Sequence, residues 1–219
     1  MEIQPLHEWN LPPREAVLLQ KSLALRVIYD RPLDPNTFRL AAGVDVSVKN
    51  NISRAAVVVL TWPDFQIVET ALAEMPTSFP YIAGLLAFRE GPVLLQAFRQ
   101  LQNQPDVLIF DGMGRIHPRR LGIASHLGLW LNRPTIGCGK SYLIGEYTEP
   151  GPQKGDYSLL THHRELLGVV LRTRAHVNPV FISPGHLIDL ESAIAITLLA
   201  TPTYRLPEPI RAAHQAAGQ

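Results

Sequence analysis

Two periods of apolar residues alternate along the chain. Over residues 40–48, Val44, Val46 and Val48 fall on one side and Asp45 and Ser47 on the other, a repeat of two that predicts a strand with Asp45 facing away from the valines. Asn50-Asn51 supplies turn chemistry, and residues 55–61 and 66–75 predict two more strands joined around Trp62-Pro63-Asp64, giving an antiparallel meander. Residues 13–28 open on proline and continue at helical spacing through Val17, Leu18, Leu25 and Ile28, which predicts a helix lying across the outside of the sheet. A second helix is expected over 85–102 with an interruption at Gly91-Pro92, because proline suits a helix start and not its interior. Residues 107–110 and 134–138 read as short strands separated by a helix over 123–131, an order that implies parallel pairing. Strands over 166–172 and 180–183, a helix over 189–199 capped by Asp189, and a short Pro-rich tail over 207–214 complete the pattern.

A three-strand meander followed by alternating helices and parallel strands is the order of an RNase H-like α/β domain, a mixed central sheet flanked by helices. With 219 residues, 46% of them hydrophobic, and no repeat or low-complexity linker, the chain is expected to form one domain over 1–219. The first ten residues lack the basic-then-apolar layout of a signal peptide and no apolar run reaches membrane-spanning length, so a cytoplasmic protein without a membrane partner is expected, acting as a monomer.

Two acids stand where a core is predicted. Asp45 lies inside the run Ala41 to Val48 and Asp111 closes the run Val107 to Phe110. An isolated buried carboxylate is so costly that it neutralises or acquires a cation, and two in one small domain point to a shared metal ion. Hard carboxylate oxygens suit Mg²⁺, with Mn²⁺ as a substitute. Net charge is only +1, but residues 112–140 carry Arg115, Arg119, Arg120, Arg133 and Lys140 with His117 and His126, and no acid. The single cysteine, Cys138, makes neither an internal disulfide nor a zinc site unaided. Gly137-Cys138-Gly139-Lys140 is not a P-loop, because its glycines sit too close to the lysine.

Several segments carry a likeness to a known family: Gly43-Val44-Asp45-Val46-Ser47, Phe79-Pro80-Tyr81-Ile82, Leu85 to Glu90, Asp111-Gly112-Met113-Gly114-Arg115-Ile116-His117-Pro118-Arg119, Ala124-Ser125-His126-Leu127-Gly128, Gly137 to Lys140, and Tyr204 to Pro209. In this order they resemble endonuclease V, the deoxyinosine-directed repair nuclease. The resemblance implies an RNase H-like fold and magnesium-dependent cleavage one nucleotide 3′ of the lesion, leaving a 3′ hydroxyl and a 5′ phosphate. Asp45 and Asp111 are then expected to ligate the metal, and Glu90 to bind it through water or act as general base. By the same resemblance Lys140 contacts the phosphate and His214 plays an accessory metal-side role. Pro80-Tyr81-Ile82 matches the family's strand-separating wedge, which usually ends in a second proline where Ala83 stands here.

Hypoxanthine presents an O6 acceptor and an N1–H donor, so a pocket of main-chain groups can distinguish it from adenine. Gly84, Gly112, Gly114 and Gly137, walled by Leu86 and Ile123, are the expected lining, while His117, Arg119, Ser125 and His126 are expected to engage phosphates or brace the site. His162, His163, His176 and His186 read as ordinary surface or loop residues. Deoxyinosine-containing DNA is the expected substrate. A nuclease acting on RNA inosine, hybrids or branched DNA, and a binding module with structural acids, stand as the other readings.

Overall fold

The alternating segment beginning at Leu40 forms the strand around which the other elements are arranged. In the computed structural model, which describes every residue except Glu2 and Gln219, helix α1 (Pro13–Ala24) leads to β1 (Leu40–Lys49), β2 (Ile52–Thr61) and β3 (Ile67–Pro76). Then follow α2 (Leu86–Gln100), β4 (Val107–Phe110), α3 (Ile123–Leu131) and β5 (Thr135–Gly139). Three more strands, β6 (Tyr157–His162), β7 (Glu165–Leu171) and β8 (Val180–His186), precede α4 (Leu190–Leu199) and α5 (Glu208–Gly218). The strands form one sheet in the order β3-β2-β1-β4-β5-β8-β7-β6.

The meander β1-β2-β3 is antiparallel, and β4 pairs in parallel with both β1 and β5. Beyond β5 the sheet turns antiparallel again, through β8 and β7 to β6. The sequence pattern did not predict β6, whose only fully buried side chain is Leu160, too little for a visible alternation.

The period of two along β1 divides the core between two faces. Ala42 and Val44 pack with Leu94 and Phe98 of α2 and with Leu127 of α3. Ala41 belongs to the opposite face, with Ile109, Ile136, Ile182, Ile196 of α4 and Ile210 of α5. Among the described residues no helix is long and apolar enough to cross a membrane.

Two helices depart from expectation. Helix α1 ends at Ala24 and does not lie on the sheet: Ala16 packs with Phe79, Leu85 and Phe88, and Leu23 with Leu121 and Leu129. Its buried positions are Ala16, Gln20 and Leu23, so the bulky Leu18 and Leu25 that suggested the apolar stripe face solvent. Helix α2 runs without interruption through Gly91-Pro92. Proline removes one helical N–H, but the helix is held by the burial of Val93, Leu94, Leu95 and Phe98 on the sheet side. Trp9 presses on Gly91, where a Cβ would lie 2.5 Å from the indole.

Candidate active site

Register alone brings the two acids together. Val44 of β1 pairs in parallel with Phe110 of β4, so the next residues, Asp45 and Asp111, lie side by side, and the Asp111 amide donates to the Val44 carbonyl at 2.9 Å. Asp45 faces α5, where His214 Nδ1 donates to Asp45 Oδ2 at 2.8 Å. Asp45, Asp111 and His214 each offer a ligand atom, all within 4.8 Å of one another. Lys140, just past β5, forms an ion pair with Asp111 Oδ2.

Glu90 approaches from α2. Burial, together with the charges of Asp45 and Asp111, pushes its carboxyl up to about 8. Burial also raises the Asp111 carboxyl; Lys140 pulls it back and Asp45 pushes it further up. Two carboxylates thus meet with the Lys140 ammonium beside them, and Glu90 lies near enough to feel their charge but outside the group of ligand atoms within 4.8 Å. That imbalance is what a divalent cation relieves, and the two carboxylate oxygens are the hard donors that fit one.

A cavity of about 350 Å³, at the lower end of the range for small-ligand sites, opens beside these acids. Its wall includes Asp111 and Lys140 at one end and Tyr81, Ile82 and Ala83 at the other. Gly84, Leu86, Gly112 and Ile123 line it, as does Met113. Gly114 and Gly137 do not. A Cβ on Gly137 would lie 2.1 Å from the Gly114 amide, and one on Gly114 would lie 2.3 Å from the Pro184 carbonyl, so both glycines serve close backbone packing beneath the cavity.

The loop carrying Pro80, Tyr81 and Ile82 is tied at both ends. Tyr81 is 75% exposed at its tip. Arg89 donates to the Phe79 carbonyl at 3.0 Å, and the Leu85 amide donates to the Ile82 carbonyl at 2.9 Å. Gly84 takes a positive φ of 80°, and its carbonyl accepts from Gln20, His117 and Arg119 at 3.1, 2.9 and 2.6 Å. These bonds anchor the segment in which Ala83 replaces proline.

Burial, with the charge of Arg119 adding to it, holds His117 down to about 4, so its imidazole is neutral. Its Nδ1 accepts from the Arg119 and Leu121 amides, which leaves Nε2–H to donate to Gly84. His117 and Arg119 therefore brace the loop from within. Ser125 and His126 are fully buried, and their side chains cannot reach a phosphate from the positions they occupy. His126 instead lies 2.7 Å from His7 Nε2, which also accepts from the Trp130 indole at 3.2 Å. As that nitrogen accepts from Trp130, His126 must supply the proton of the His7–His126 bond.

Other contributors carried no sequence signal strong enough to single them out. Gln20, Leu121, Tyr142 and Leu143 complete the cavity wall. Arg205 donates to the Lys140 carbonyl at 2.9 Å and to Pro179 at 2.8 Å, bracing the lysine from the segment that leads into α5. His186, read as a surface residue, is buried; its Nδ1 accepts from the Ile28 amide, and burial holds it down to about 4.

The chain resembles known proteins over its whole length. It is 51% identical to endonuclease V of Dehalococcoides mccartyi, covering 100% of this chain and 98% of the relative. It is 50% identical to endonuclease V of Trichormus variabilis, covering 99% of each. The crystal structure of Streptomyces avermitilis endonuclease V superposes with a TM-score of 0.92 at 40% identity, covering 100% of this chain and 96% of that one. Endonuclease V of Ciona intestinalis, solved with a 24mer DNA containing an inosine followed by a ribo-adenosine, superposes at 0.81 with 30% identity over 94% of this chain and 95% of that one. The endonuclease V family profile matches residues 21–215, and by these likenesses the chain belongs to the endonuclease V family.

Proposed function

We propose that this protein hydrolyses a DNA phosphodiester one nucleotide 3′ of a deoxyinosine, leaving a 3′ hydroxyl and a 5′ phosphate, with Mg²⁺ held by Asp45 and Asp111. The observation that carries this reading is the pairing of two carboxylates on adjacent parallel strands, one of which, Asp111, lines a cavity bounded by an exposed aromatic loop. A hard divalent cation at such a site supplies Lewis acidity to the phosphate and lowers the pKa of water.

The chain's own groups supply the rest. Lys140, beside Asp111, brings an ammonium to the phosphate. Glu90 holds its proton in the metal-free protein, and a cation bound beside it would favour the carboxylate, which is then suited to take the proton of the attacking water. His214 fixes the Asp45 carboxylate. Tyr81 and Ile82 enter the duplex as the base leaves the stack, and the extruded hypoxanthine occupies the cavity against Gly84, Leu86, Gly112 and Ile123. The likeness to a protein solved on inosine-containing DNA supports the same substrate here.

The test is magnesium-dependent nicking of an oligonucleotide carrying one deoxyinosine beside a matched deoxyadenosine control. Cleavage confined to the inosine strand, one nucleotide 3′ of the lesion, is the expected result. Equal cleavage of both strands would reject base selection, and binding without cleavage would reject the enzyme reading.

A further inference from the structure

The Tyr81–Gly84 loop has a second cavity against it. Ile82 and Ala83 line the cavity beside Asp111 and also a groove of about 610 Å³ formed with α1. The remaining apolar wall of that groove is Pro13, Val17, Leu18 and Leu85. Leu18, the residue that misled the helical pattern, is 64% exposed there. Between the two cavities lies Arg119, whose Nε donates to Gln20 at 2.6 Å while its terminal nitrogen donates to Gly84 at 2.6 Å. Among the described residues no acid lines the groove, and the charged residues that line it are Arg14 and Arg119.

We propose that this groove is a second nucleotide site, which receives the unpaired base of the complementary strand once the lesion base has left the duplex. The inference rests on the reading of the first cavity as the lesion pocket. Extruding one base of a pair leaves its partner without hydrogen bonds and beside the inserted loop. A loop that enters a duplex separates two bases, one for each of its faces. One face here borders the acids; the other borders an open apolar surface of a size that accepts a base. Apolar side chains suit the π-face of any base without selecting among them. The Arg14 guanidinium at the rim suits the backbone phosphate. The site therefore makes contact through shape and charge and is indifferent to which base stood opposite the lesion.

The experiment compares three substrates bound in chelator, so that none is cut: an inosine single strand, the same strand in a duplex, and a duplex with an abasic position opposite inosine. Arg14→Gln, Leu18→Ser and the pair are made on the solvent side of α1, with the thermal transition confirming the fold. Loss of one base–protein contact is worth about fivefold or more in affinity, so the paired variant is expected to bind the intact duplex about that much more weakly. Binding to the single strand is expected to stay unchanged, and the abasic duplex, which lacks the base but keeps its phosphate, to erase the Leu18→Ser defect while leaving that of Arg14→Gln. Equal weakening on the single strand would assign the groove to the lesion strand and overturn the proposal. An unchanged duplex affinity, or a Leu18→Ser defect that persists opposite the abasic position, would overturn it too. Failure of the wild-type protein to prefer inosine over adenosine in a single strand would instead overturn the reading of the first cavity.

Discussion

Asp45 Oδ2 and His214 Nδ1 lie 2.8 Å apart although 169 positions separate them in the chain. Gly43 makes the meeting possible. It precedes Asp45 by two residues and so shares its face of β1. A Cβ there would lie 1.8 Å from the Pro209 carbonyl, in the first turn of α5. The helix that carries His214 thus sits directly on the strand backbone that carries Asp45.

Gly43→Ala should push α5 off β1 and separate His214 from Asp45 while both residues remain in place chemically. A misplacement of about 1 Å in a catalytic constellation lowers rate by about 100-fold, and that is the expected loss in kcat/KM on an inosine duplex. Substrate Kd in chelator should move far less. A variant with wild-type turnover would show that α5 contributes nothing to the reaction.

The acids were legible in the sequence because a carboxylate inside an apolar run contradicts its surroundings. Strand register was seen only in the structure, where Val44 pairs with Phe110 and their successors meet. Bracing groups were not legible. Gln20 has the composition of a surface helix residue, yet it is 1% exposed and bonded to Gly84 across 64 positions. Ser125 and His126 were expected to engage phosphates or brace the site, and their burial favours the second, with the aromatic cluster of His7, Trp9 and Phe88 sealing His126 from solvent. Nothing in local periodicity reports a partner so distant in sequence. Helix α1 failed for a related reason, because its buried stripe is set by the loop and by α3, not by the sheet.

Metal binding should appear as thermal stabilisation without any substrate. At a Mg²⁺ concentration ten times its dissociation constant, linkage adds about 1.4 kcal/mol, or about 3–5 °C in Tm for a chain of this size. The double variant Asp45→Asn, Asp111→Asn should lose that shift. An undiminished shift in the double variant would place the cation elsewhere.

Glu90→Gln should stabilise the metal-free protein while eliminating cleavage. The folded-state carboxyl is held at about 8 against 4.5 for an ordinary glutamate. The folded protein therefore keeps a proton that the unfolded chain releases, and the contribution of this group to stability falls as pH rises from 4.5 through 8. The decline is at most about 1.4 kcal/mol per pH unit for one group. In chelator, Tm of the variant should exceed wild type at pH 7.5 and converge with it below pH 4.5. A difference between variant and wild type that does not grow with pH over this interval would show that Glu90 is ionised in the folded metal-free state.

Acid should unfold the protein through its buried imidazoles. Burial holds His117 and His186 down to about 4 and His126 well below its ordinary value. Each stays neutral in the folded state while the unfolded chain protonates it below 6.5, so stability is lost as pH falls from 6.5 towards 4. For His117 the full effect is about 3 kcal/mol. Glu90 opposes this trend across the same interval, because its proton is held by the folded state. The Glu90→Gln background removes the larger opposing group and leaves the raised Asp111 carboxyl, and unfolding it at pH 5.5 should bring an uptake of about two to three protons as these histidines charge. Calorimetric enthalpies in two buffers of different ionisation heat yield that number directly. An uptake near zero would mean that the imidazoles are already charged in the folded protein, and the neutral His117 that donates to Gly84 would have to be abandoned.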